Sequence, residues 1–259
     1  MIVGTIALIA MLFGGGLDYF FIDNLEKGVK EYVIEKERKK EILADLKISK
    51  KLMDNYNKER KGRYKAFEKL NISSETSKED LIVFFNGLYK ERVEYQEEMV
   101  NERLAVLKII NTDEWVSIME FSTNSLEKQI EKEQKKLEKN KDKGKGVIPF
   151  VKTSKAITKN VLNSEKQQIL LAGLGTMINR IEELTIETET MNVNENALLT
   201  DQNAAKEELL ELGNSLNEIR RLVFDELIDF HILVKENTDM TEWEKVMKEF
   251  NKELSITAN

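Results

Sequence analysis

One motif in the chain returns at a fixed distance. Leu88-Tyr-Lys-Glu-Arg92 leads to Asn111-Thr-Asp-Glu114-Trp115-Val-Ser-Ile-Met119, and Leu216-Asn-Glu-Ile-Arg220 leads to Asp239-Met-Thr-Glu242-Trp243-Glu-Lys-Val-Met247. From Trp115 to Trp243 the offset is 128 residues, with no gap, and these are the only two tryptophans. Self-similarity on this scale constrains the architecture before any local reading does. Leu81/Leu209, Asn86/Asn214, Glu98/Glu226 and Val106/Val234 match at the same offset. Upstream the identities thin out but the apolar register persists: Gly28, Val29 and Val33 align with Ala156, Ile157 and Val161. The unit is drawn as 28–120 and 156–248. Heptads alone align leucines; they do not align Trp, Arg, Asn and Glu together.

A single proline, with abundant Lys, Glu, Leu and Ile, predicts long uninterrupted helices. No alternating β pattern of useful length occurs. The expected fold class is all-α: long antiparallel helices forming a helical bundle from a duplicated three-helix unit, with an N-terminal hydrophobic helix. One long helix is expected over 25–69 and another over 152–195, with a loop near Asn194–Thr200. Thr76-Ser-Lys-Glu79, Asn111-Thr-Asp-Glu114 and Asp239-Met-Thr-Glu242 have the spacing of capping boxes. Each Trp then falls just after a capped helix start, where it is expected to pack the bend between two helices.

Residues 2–22 read IVGTIALIAMLFGGGLDYFFI, with Asp18 their one charge. That length crosses a hydrocarbon core of about 30 Å as a helix. The expectation is a membrane anchor over 1–24. A cleaved signal and a buried helix are the alternatives. Lys27, Lys30, Lys36, Arg38, Lys39 and Lys40 follow the run, so the positive-inside rule places the large C-terminal part in the cytoplasm. Asp18 reads as an interfacial residue, or else as a contact with a polar partner. The domain reading is 1–24 anchor, 25–143 first helical repeat, 144–150 linker around Pro149, and 151–259 second repeat.

The net charge is −7, and it is unevenly placed. Residues 127–166 carry 12 lysines against 6 acids, and residues 167–259 carry 8 basic residues against 19 acids. An acidic chain with no basic face argues against nucleic acid as a partner. Zero cysteines remove thiol catalysis and Cys-based metal sites. The one histidine, His231, has Ile228 three residues before it, so it lacks the Glu-x-x-His spacing of a di-iron bundle. Gly173-Leu-Gly175 lacks the strand and the Lys-Ser/Thr element of a phosphate loop. No catalytic residue, metal ligand or cofactor site is assigned. The structural or interaction candidates are Arg92, Trp115, Arg220, Trp243 and Asp18. Arg92 and Arg220 sit in matching register near an apolar stripe, where a charge fixes helix register or lines a cavity for an anion.

Met99-Val-Asn-Glu-Arg103-Leu and Asn111-Thr-Asp-Glu-Trp115 resemble the helix-start motif of the helical periplasmic stress chaperones of the Spy and CpxP type, with Trp in place of their Gln. The likeness spans two short stretches, and no family residue is carried over. The expected function is a non-enzymatic, membrane-anchored helical scaffold, adaptor or assembly component acting through protein–protein contacts or self-association. The alternative is an extracytoplasmic helical-bundle sensor or stress chaperone that binds a ligand or unfolded chains.

Overall fold

In the computed structural model, residues 22–142 and 150–258 are described. Their side chains are described except at 60–61, 126–127, 129–134, 136–142, 189–196 and 255–258. The described residues are all-helical, with no strand among them. Eight helices follow one another: α1 Ile22–Tyr32, α2 Lys36–Ile72, α3 Lys78–Leu107, α4 Thr112–Asp142, α5 Val151–Asn160, α6 Ser164–Thr200, α7 Lys206–Asn237 and α8 Met240–Ala258. The long helices pack in the order α2, α3, α7, α6, so α3 and α7 lie at the centre. Phe85 stacks on Phe224 while Gln96 reaches Gly213, which makes the α3–α7 pair antiparallel. The α1 helix covers α2 and α4 at one end, and α5 and α8 cover each other at the opposite end.

The element boundaries repeat with the motif. Both α2 and α6 are 37 residues long and begin 128 residues apart, as do α3 and α7, and α4 and α8. A short helix precedes each long one, so each half shows four elements where the sequence suggested three. The expected helix over 25–69 breaks at 33–35, and its counterpart breaks at 161–163. In both breaks a buried Val is followed by an exposed aliphatic residue and then by the cap of the next helix. Glu35 accepts the backbone N–H groups of Glu37 and Arg38 at 2.9 Å; Asn163 accepts those of Glu165 and Lys166 at 3.0 and 3.1 Å. These side chains satisfy donors that a helix start leaves orphaned.

Other local expectations shift slightly. The box before α3 pairs Ser77 with Asp80 and not Thr76 with Glu79; Thr76 Oγ1 instead donates to the Leu70 carbonyl at 2.7 Å. At α8 the reciprocal box between Asp239 and Glu242 forms as read. At α4 Glu114 accepts the Asn111 N–H, and its other oxygen takes Arg38 of α2. The loop placed near Asn194–Thr200 is helical: α6 continues to Thr200, and the chain turns over 201–205. No Gly or Pro interrupts 176–200, so nothing stops the helix earlier.

The expectation of a single-pass membrane protein requires correction. Among the described residues no helix is long and apolar enough to cross a membrane. Residues 22–24, assigned to the anchor, open the amphipathic α1. Its Ile22, Leu25, Gly28 and Val29 are buried, while Asp23, Glu26 and Lys30 form ion pairs on its outer side. Residues 1–21, Asp18 among them, lie outside the described residues, as do residues 143–149 of the proposed linker.

Three cores hold the helices together. The largest gathers the C-terminal half of α2, the N-terminal half of α3 and α5–α8. A second joins α1, α4 and the adjoining ends of α2 and α3. The third joins the C-terminal half of α3 to the end of α6 and the start of α7. Gly28 permits α1 to lie close to α4: a Cβ there would sit 3.0 Å from Ile118 Cγ2 and 3.4 Å from its Cα. Alanine favours a helix by about 1 kcal/mol over glycine, whereas overpacking costs about 1–3. Gly28→Ala is therefore expected to lower stability by roughly 1 kcal/mol in urea titration, because the obstacle includes backbone.

Candidate functional site

The repeated tryptophans do more than pack a bend. Trp115, at the start of α4, donates its indole N–H to the Thr200 carbonyl at 2.7 Å. Trp243, at the start of α8, donates to the Ile72 carbonyl at 2.9 Å. Thr200 and Ile72 are the last residues of α6 and α2, and they too are 128 residues apart. Each Trp thus crosses to the opposite half and satisfies a carbonyl that a helix end leaves without a partner. Both indoles are 2% exposed, and a buried indole N–H needs such an acceptor.

Beneath each Trp lies a buried polar residue at an equivalent position. The Arg103 guanidinium stands 5.1 Å from the Trp115 ring and donates to the Leu199 carbonyl. The His231 ring meets Trp243 edge-on at 5.0 Å, and its Nδ1 is 2.9 Å from Asn71 Oδ1. Asn71 Nδ2 donates to Asn251 Oδ1 at 2.5 Å, so the Asn71 oxygen remains to accept. That places the imidazole proton on Nδ1. Tyr64 completes the cluster by donating to the Asn251 carbonyl at 2.9 Å. Burial pushes the His231 pKa down to about 4; the Thr76 backbone works against this, and the Lys235 charge adds to it. Burial also pulls Arg103 down to about 10, so it stays cationic at neutral pH, with Asp201 opposing the shift. Neither Arg103 nor the His231–Asn71 pairing was singled out from sequence. The 128-residue offset could have flagged the first, since Arg103 aligns with His231.

Arg92 and Arg220 are both 5% exposed, near the middle of the α3–α7 crossing. Arg92 Nε reaches the Tyr56 hydroxyl on α2 at 3.4 Å. Arg220 donates to Asn217 Oδ1 at 2.9 Å, and Asn217 Nδ2 donates to Gln96 Oε1 of α3 at 2.7 Å. The two equivalent arginines therefore engage different neighbours. Only Arg92 lines a cleft, of about 290 Å³, between α3 and α7. Its walls include Phe85, Tyr89, Phe224 and Ile228, with Arg221, Glu218 and Asp225 also contributing. Arg221 bonds Glu218 at 2.8 Å and Asp225 at 3.1 Å. Burial raises the Asp225 carboxyl above its usual range.

Two exposed residues escaped the sequence reading. Ile34 and Leu162 are 87% and 89% exposed, the largest values among the large apolar residues described. They occupy the α1–α2 and α5–α6 breaks, at equivalent positions. The alignment reached Val33 and Val161 and stopped one residue short. Among the described residues no group of three or more His, Cys, Asp or Glu converges in a metal-binding arrangement. In comparisons with protein-family models, curated proteins and solved structures, none matches the chain.

Proposed function

We propose that the chain is a duplicated four-helix unit, and that it acts as a non-enzymatic scaffold or adaptor holding two copies of one protein partner. The observation that carries this reading is the pair Ile34 and Leu162. Each is an aliphatic side chain held almost wholly in water, at the same place in the two halves. Loops that a rigid scaffold holds in fixed geometry are favoured positions for recognition. Each tip is anchored by a buried neighbour, Val33 or Val161, and by a helix cap directly after it. The partner in this reading offers an apolar pocket to an Ile or Leu side chain. Because α2 and α6 run antiparallel, the tips point two partner copies to opposite ends of the bundle.

Buried polar groups support the same reading. Asn71, Asn217, Asn251, Arg220 and His231 all bond to neighbouring side chains or backbone within the fold. Their chemistry is spent on joining helices.

The test is cross-linking followed by mass spectrometry, with the full chain as bait. Wild type is compared with Ile34→Asp, Leu162→Asp and the double variant. All four are expected to melt alike, because surface changes typically alter stability by no more than about 0.5 kcal/mol. Either single variant is expected to halve the stoichiometry of one partner, and the double variant to lose that partner. Unchanged recovery by the double variant would sink the proposal.

A further inference from the structure

The geometry at the α3–α7 crossing points to a small-molecule site: the cleft takes a small aromatic monocarboxylate, with the carboxylate on Arg92 and the ring among Phe85, Tyr89 and Phe224. This inference does not rest on the docking of a protein partner at Ile34 and Leu162. At about 290 Å³ the cleft is at the lower end of small-molecule pockets, which run to roughly 300–1,000 Å³. That size suits one or two fused rings. Phe85 and Phe224 stack with centroids 4.0 Å apart and planes 16° from parallel, so together they offer a flat apolar wall. Ile82 and Ile228 extend it.

The charges are graded across the cleft. Arg92 is 5% exposed, whereas the side chains of Arg221, Glu218 and Asp225 are all about half exposed, at 51%, 53% and 50%. The inner end is therefore cationic, and the acids stand at the rim, with Arg221 between them. A guanidinium in a desolvated site binds a carboxylate more strongly than it does in water, and its planar fork matches the two oxygens. A second negative charge on the ligand would face Glu218 and Asp225 at the mouth and be repelled. The lining thus selects one carboxylate on an aromatic body.

The position related by the 128-residue offset is closed. There Phe85 is replaced by Gly213, Phe224 by Gln96 and Ile228 by Val100. Gln96 fills the space against Gly213, where a Cβ would lie 3.2 Å from the Gln96 amide. Only about 20 Å³ remains, walled by Leu199, Leu209 and Leu212. A helix pair of this kind can evidently pack shut, and at Arg92 it does not.

The experiment is calorimetric titration of the full chain with indole-3-acetate. Indole-3-acetamide serves as the uncharged analogue of the same shape. The acid is expected to bind with one-to-one saturation, at least tenfold more tightly than the amide. Arg92→Met should weaken the acid at least tenfold and leave the amide unchanged. Asn86→Trp places a ring at the cleft from an exposed position and should block both. Circular dichroism melts establish that each variant is folded. If Arg92→Met does not fold, Asn86→Trp decides alone. No binding of the acid at millimolar concentration, equal binding of acid and amide, or wild-type binding by folded Asn86→Trp would each overturn the assignment.

Discussion

Replacement of Trp243 by alanine is expected to cost about 3–5 kcal/mol, the range for a large buried aromatic in a close-packed core. Trp243 is 2% exposed and belongs to the largest apolar cluster. Its removal also leaves the Ile72 carbonyl without its indole donor and takes the edge contact from His231. Trp243→Phe separates these contributions, because it keeps a ring and removes the N–H. The loss of one hydrogen bond to a buried carbonyl is worth about 1–3 kcal/mol. Urea titration of wild type and both variants gives the two numbers. A loss below about 1 kcal/mol for the alanine variant would mean that the joint between the halves does not depend on this residue. Trp115→Ala is expected to fall in the same range, since its burial and its bond to Thr200 are equivalent.

Acidification should weaken the fold through His231. Its pKa in the folded chain is pushed down to about 4, whereas the unfolded chain keeps a value near 6.5. Above pH 6.5 both states hold a neutral imidazole, and the stability is fully present. As the pH falls from there to about 4, the unfolded chain takes up a proton that the folded chain refuses, so unfolding is favoured. A gap of this size is worth on the order of 3 kcal/mol. Other groups titrate over part of this window, among them Glu26 and Asp80, whose carboxyls are held low by Lys30 and Ser77. The comparison therefore uses His231→Leu. The variant is expected to be less stable at pH 7.5, because Asn71 loses its donor. Its further loss between pH 7.5 and 4.5 should be smaller than that of wild type by roughly 2–3 kcal/mol. Parallel curves for the two proteins would place the pH sensitivity elsewhere.

The helices could be read from the chain because apolar spacing and caps agree along it. Leu81, Phe85, Leu88, Met99 and Val106 fall at three- and four-residue steps, and all five are buried on α3. The breaks at 33–35 and 161–163 were hidden for a physical reason. They contain no Gly or Pro, and one of them is capped by a glutamate, an uncommon residue for that role. The tryptophans stood out by their repetition, but their acceptors did not. A backbone carbonyl at residue 72 or 200 has no signature in the sequence, and the bonds span 171 and 85 positions. The cleft was similarly veiled. Arg92 and Arg220 look alike at equivalent positions; what opens one site and shuts the other is the exchange of Phe85 and Phe224 for Gly213 and Gln96. The apolar run over 2–22 was the loudest local signal, yet it stops at the edge of a helix that packs inside the bundle.

Because each tryptophan closes a helix end belonging to the opposite half, the halves relate to each other as the subunits of a twofold dimer do. The connection between Asp142 and Phe150 then acts as a tether, setting the concentration at which one half meets the other. A chain cut there would have a melting temperature that climbs with protein concentration, where the intact chain has one that does not.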